Sequence, residues 1–298
     1  MTFAHAPIHP SALWQAWTFD PLVVVGLVAG AALYARGSLR LREVAPRRRA
    51  VHARQTLFAL GGWLCLLLAL VSPIDALGGT IFTAHMVQHL LLILGAAPLL
   101  VLGAPSLPLM LALPNTARRA MQRVRHHRVL ALARRPARSW VIVGTMQAAV
   151  LWAWHLPVMY EAALQDDRLH ALEHASFFVT AWLFWSIVVR APRRGGLGHG
   201  AAILFVFATA LQSGALGAVL TFAARPLYPL HAVGARWWGL TALGDQQLAG
   251  AMMWVPGGMV YLLTIALLFV SWMKYMEKRM NRDERFSSDP VVLGPQHR

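Results

Sequence analysis

The chain has 298 residues, 57% of them hydrophobic and 13% charged, with a mean hydropathy of +0.52, which excludes an ordinary soluble domain. A formal net charge of +15 would suggest nucleic acid if the basic residues formed one surface, but they fall in the gaps between apolar runs, so they report topology and not DNA binding. The composition reads as a polytopic, all-α membrane protein.

Residues Met1 to Asp20 contain no Lys or Arg and therefore lack the basic region of a cleavable signal peptide, so the first apolar run is expected to be retained. At about 20 residues per crossing, seven spans are expected, over 21–36, 55–72, 82–102, 139–155, 171–190, 200–222 and 246–272. This divides the chain into an N-terminal tail (1–20), a seven-span membrane domain (21–272) and a C-terminal tail (273–298) that begins helical and then turns polar. Pro98 and Pro256 are candidate kinks in the third and seventh spans. Of the 27 Lys and Arg, 24 lie in 36–54, 103–138, 190–199 and 273–298, and only Arg168, Arg225 and Arg236 lie in the opposite set of connections. The positive-inside rule then places the N-terminus out and the C-terminus in. Pro114 to Arg138 carries Arg118, Arg119, Arg123, Arg125 and Arg128 at helical intervals, the pattern of a basic helix lying on anionic lipid.

The single cysteine, Cys65, sits in an apolar run; no intramolecular disulfide and no CxxC motif exist, and core packing is its expected role.

The informative polar residues gather at the outward ends of the spans. His85 and His89 open the third span, His155 closes the fourth, His170 and His174 open the fifth, and Asp245, Gln246 and Gln247 open the seventh. Histidines four apart share a helix face, and polar groups in a membrane are costly and tend to be functional. Four residues rise about 6 Å, so His89 and His174 are expected one turn deeper than His85 and His170, at matching depths. Facing imidazole pairs suit copper, zinc or iron. Glu173 and Asp245 are candidate carboxylates for fixing histidine tautomers or for pairing with Arg168. Met86 is a candidate extra ligand, although it points about 100° away from His85 around the helix; Met159, Met252 and Met253 are more simply packing residues. The candidate metal set is thus His85, His89, His155, His170, His174, Met86 and Asp245. His5, His9 and His231 read as surface or loop residues. His52, His126, His127, His199 and His297 lie on the inner side with no assigned site.

On these residues the chain resembles the CtaG family of cytochrome c oxidase assembly factors, the type associated with caa3 oxidases. The blocks that carry the resemblance are His85-Met86-Val87-Gln88-His89-Leu90 running into Ala97-Pro98-Leu99-Leu100, Trp154-His155-Leu156-Pro157, His170 through Phe178, and Asp245 through Gly250 with Trp254-Val255-Pro256-Gly257-Gly258. The resemblance implies a multi-pass protein of the bacterial cytoplasmic membrane, needed to make an active haem-copper oxidase, handling copper for the catalytic subunit and catalysing no reaction itself. A different, single-span copper chaperone shares the name and carries a cysteine motif that this chain lacks. Three other readings stay open: an intramembrane zinc hydrolase using Asp245 or Glu173 to activate water, a protein with haem-ligating or quinol-reactive histidine pairs, and a scaffold in which every histidine is structural.

Overall fold

The computed structural model describes residues 7–46, 49–126, 139–193 and 196–288. Among them there is no strand, and the fold is an all-α bundle. Six helices are long and apolar enough to cross a membrane, or seven if one bent pair counts as a single span. We number them α1 (Pro21–Val44), α2 (Arg49–Leu70), α3 (Phe82–Leu102), the bent pair α4 (Trp140–Trp154) and α5 (Pro157–Gln165), α6 (Asp167–Arg190), α7 (His199–Thr221) and α8 (Ala242–Ser288).

The helices outrun the apolar stretches that announce them. α1 continues eight residues beyond the expected end at 36, through Arg36, Arg40 and Arg42, and α8 continues well past 272. Charged side chains at the end of a span stop the crossing without stopping the helix, since Arg and Lys are good helix formers. Asp20 starts α1 by accepting hydrogen bonds from the N–H groups of Leu22 and Val23, with Pro21 in the first turn, where its missing N–H costs nothing. The basic stretch after Pro114 is helical over Asn115–His126, and its remainder, including Arg128, lies outside the described residues.

Two breaks shape the bundle around the histidines. α4 and α5 meet at 74° where His155-Leu156-Pro157 interrupts the helix, because the residue before a proline is driven out of helical geometry. In α3, Leu91–Ala96 forms a wider π turn, with the Ala97 N–H bonded to the Leu92 carbonyl five residues back. By the same register Ile93 would bond to residue 98, a proline with no N–H to give. The Trp185 indole of α6 supplies the missing donor, 2.8 Å from the Ile93 oxygen. Pro256 is accommodated inside a continuous α8.

The α7–α8 pair packs closely at Gly217 and Gly250. A Cβ on Gly250 would collide with the Gly217 carbonyl and with Thr221, so the approach depends on absent side chains, as in many membrane helix pairs. The main apolar core lies between α4, α6, α7 and α8, around Val143, Phe184, Trp185, Phe205 and Tyr261. The histidines occupy one end of this core, covered by the segment between α7 and α8, and the N-terminal segment 7–20 attaches at the same end. Ile8 ties that N-terminal segment down through its N–H to Thr80 Oγ1 and its carbonyl to the Trp238 indole.

Candidate metal centre

The two HxxxH faces meet. α3 presents His85 and His89, with ring centroids 4.3 Å apart, and α6 presents His170 and His174, 4.2 Å apart. Across the helix interface His85 stands 5.7 Å from His170, and His89 stands 5.4 Å from His174, so the rings pair level by level. All four are buried. Four imidazoles are thereby packed as two facing pairs within the bundle, where both nitrogens of His89 and Nδ1 of His85 are closed off from water.

Glu173 lies among these rings and is itself fully buried. Its Oε1 is 3.5 Å from Nε2 of both His85 and His89. Such separations are long for hydrogen bonds but close to the spacing of two donors on one ion: bonds of about 2.1 Å at a tetrahedral angle put the donor atoms about 3.4 Å apart. His85, His170 and Glu173 each offer a ligand atom, and these atoms lie within 4.8 Å of one another. Both ring nitrogens of His89, Nδ1 of His85 and Oε2 of Glu173 are buried without a hydrogen bond. Buried polar atoms are nearly always paired, so these atoms fit a bound cation better than they fit an apolar core.

His155 sits at the α4–α5 bend and lines the inner side of the cluster, 6.4 Å from the His89 ring. Its Nδ1 is 2.7 Å from the Leu151 carbonyl and its Nε2 is 3.4 Å from the sulfur of Met86. Met86, although turned away from His85 around α3 as the helical period requires, thus joins the group through His155.

Asp245 is placed elsewhere. Its carboxylate oxygens accept the Phe82 N–H at 2.7 Å, the Thr83 N–H at 2.9 Å and the Thr83 hydroxyl at 2.6 Å. It therefore caps the start of α3 from the neighbouring helix, satisfying N–H groups that every helix leaves exposed at its first turn. The adjacent glutamines are tied into the covering loop: Gln246 Oε1 accepts the Leu227 N–H at 2.6 Å, and Gln247 Nε2 donates to the Ala223 carbonyl. Gln88 points out of the cluster and donates to the Ala69 carbonyl and to Asp75, fixing α3 against the end of α2. Glu173 and Asp245 both have these roles instead of pairing with Arg168.

One reading from sequence needs correction. His231 lies in the loop between α7 and α8 but not at the surface; it is buried, with Nε2 2.5 Å from the Tyr160 hydroxyl. Tyr160 packs edge-on against His85 at 5.0 Å, and Phe82 and Tyr228 complete an aromatic box above the cluster. Tyr228 donates to the His155 carbonyl at 2.6 Å. Burial is the main cause that holds His231 down to about 4 and pushes Tyr228 above its ordinary value. None of Tyr160, Tyr228 or His231 carries a motif.

The model of the family described as cytochrome c oxidase caa3 assembly factor (Caa3_CtaG) matches residues 32–275. Two relatives, an uncharacterized protein of Mycobacterium bovis and one of Mycobacterium tuberculosis, are each 25% identical over 288 residues, covering 90% of this chain and 41% of their own length. The chain thus spans less than half the length of these curated relatives. No solved structure matches it.

Proposed function

The chain belongs to the family of cytochrome c oxidase caa3 assembly factors, and from that premise we propose that it binds copper at the four-histidine cluster and passes it to the catalytic subunit of a haem-copper oxidase. The observation that carries the copper part is the convergence of His85, His89, His170, His174 and Glu173 in the bundle interior, with the Nε2 atoms of His85 and His89 each 3.5 Å from Glu173 Oε1 and donor atoms of His85, His170 and Glu173 within 4.8 Å of one another. Imidazole donors fit copper, zinc and iron. Service to an oxidase whose catalytic subunit contains copper selects among them. Copper is cargo in this reading, so no chemical turnover is required and the protein is not an enzyme.

The distribution of Lys and Arg supports an orientation with the N-terminus out, which puts the histidine cluster near the outer face of a bacterial cytoplasmic membrane. Capture from that side and lateral docking of the recipient subunit in the bilayer follow. Release proceeds by ligand exchange, each incoming donor replacing one imidazole.

The competing chemistries are less well served. A zinc hydrolase needs a carboxylate free to activate water, whereas Asp245 is held by three hydrogen bonds and Glu173 stands among the ligands. A haem or quinone needs a slot of several hundred Å3; the cavity beside the cluster measures about 40 Å3.

The test is oxidase assembly in cells that carry His85→Ala with His89→Ala as the sole copy. Loss of oxidase activity, with the variant inserted at normal level, is expected, while His126→Ala with His127→Ala leaves activity unchanged. Full oxidase activity in the His85/His89 variant would refute delivery from this site.

A further inference from the structure

Copper can be held as a monovalent or a divalent ion, and the two forms prefer different donors. Nitrogen and oxygen suit divalent ions, whereas thioether sulfur selects Cu(I). The set formed by His85, His170 and Glu173 offers only nitrogen and oxygen. On the inner side of His89 the donors change. A cavity of about 40 Å3 there is lined by Met86, His89, His155 and Met253, together with apolar residues from α3, α4 and α6 and the polar side chains of Gln147, Thr180, Gln212, Ser213 and Tyr261. The space holds one or two water-sized groups.

The atoms at its edge are arranged as ligands. The Leu151 carbonyl can only accept a hydrogen bond, so the 2.7 Å contact requires the proton of the His155 ring on Nδ1. In the neutral ring Nε2 then carries a lone pair, and that lone pair faces Met86 Sδ at 3.4 Å. Thioether sulfur has no hydrogen to donate. Two electron-pair donors are therefore held against each other in the interior, with Met86 1% and His155 6% exposed. Bonds of about 2.0 Å to nitrogen and about 2.3 Å to sulfur at a tetrahedral angle place the donors about 3.5 Å apart, which matches the separation found. His89 borders the same cavity, and neither of its ring nitrogens has a hydrogen bond. Met253, from α8, packs against the cluster that contains Met86 and brings a second thioether to the wall.

We propose that Met86, His155, His89 and Met253 form a soft subsite that selects Cu(I), distinct from the harder donor set of His85, His170 and Glu173. The inference rests on the copper-carrier reading and adds the oxidation state of the cargo. His89 is common to both sets, since its Nε2 is 3.5 Å from Glu173 and its ring lines the cavity. A monovalent ion can thus move between them by exchanging the other ligands around His89, with no electron transferred.

The experiment measures binding of silver(I), a monovalent ion that does not change oxidation state, and of zinc(II), each alone, to the full chain in detergent. Met86→Leu, which preserves volume, is expected to weaken silver at least tenfold and leave zinc within twofold, so zinc binding also reports that the variant is folded. Met253→Leu is expected to weaken silver threefold or more, again with zinc unchanged. His170→Ala should do the reverse. In copper-loaded protein, X-ray absorption should show a sulfur shell at about 2.3 Å that is lost in the Met86→Leu, Met253→Leu double variant. Silver affinity unchanged in both methionine variants, or silver and zinc weakened alike in both, overturns the soft subsite while leaving a metal centre in place. Wild-type protein that binds neither ion removes the carrier reading itself, and the subsite with it.

Discussion

Replacing Asp245 with alanine removes the group that joins the start of α3 to α8. The carboxylate accepts from the Phe82 N–H, the Thr83 N–H and the Thr83 hydroxyl at 2.7, 2.9 and 2.6 Å, and Asp245 is fully buried. A hydrogen bond to a charged group contributes about 1.5 to 3 kcal/mol, and a buried donor left without a partner costs about 1 to 3 kcal/mol. The three bonds share one group and do not add fully, which brings the expected loss to about 3 to 5 kcal/mol. For a chain of this size that lowers the melting temperature by on the order of 10 °C. Asp245→Asn should fall between, because an amide offers one oxygen and turns an NH2 group toward a donor that already has a hydrogen. Thermal unfolding in detergent, followed by tryptophan fluorescence, measures both. His85 lies within the first turn of α3, so the alanine variant should also hold metal more weakly. Melting of Asp245→Ala within about 2 °C of wild type would refute the capping account and return this carboxylate to the list of candidate ligands.

Three further outcomes follow from contacts elsewhere. His231 is held at about 4, below its ordinary value near 6.5, chiefly by burial, so the folded state takes up fewer protons than the unfolded chain. Its contribution is complete above about pH 6.5 and is lost as pH falls toward 4; His231→Gln should melt with a shallower pH dependence over that window, and parallel curves would contradict this. Gly250→Val should force α7 and α8 apart by placing a side chain against the Gly217 carbonyl and Thr221, at a cost of about 1 to 3 kcal/mol, measured as lower thermal stability in detergent. Trp185→Phe strips the Ile93 carbonyl of the donor that replaces the one Pro98 lacks, and should cost about 1 to 3 kcal/mol; an unchanged melting temperature would show that the π turn finds another donor.

The parts of this molecule that obey a period were legible in the sequence. Apolar runs of about twenty residues marked the helices long enough to cross a membrane, and the four-residue spacing of His85 with His89 and of His170 with His174 put each pair on one face at matching depth. What periodicity cannot encode is which face meets which. Sequence position puts Asp245 at the same end of the bundle as the histidines, yet it reaches sideways to a helix start 163 positions away in sequence. Glu173 was visible as a nearby carboxylate, but its place between His85 and His89 depends on how α3 and α6 rotate against each other. His231 was hidden for the opposite reason: loop composition says nothing about a side chain that folds back under Tyr160. The bend at His155 had a local signal in Pro157, and its result, the alignment of His155 with Met86, did not.

The most direct test of the account is the metal content of the protein purified in detergent from copper-grown cells, wild type beside the His85→Ala, His89→Ala double variant. Copper bound by the wild type and absent from the double variant is the predicted result. Copper retained by the double variant, or zinc or a haem absorption band in place of copper in the wild type, would contradict it.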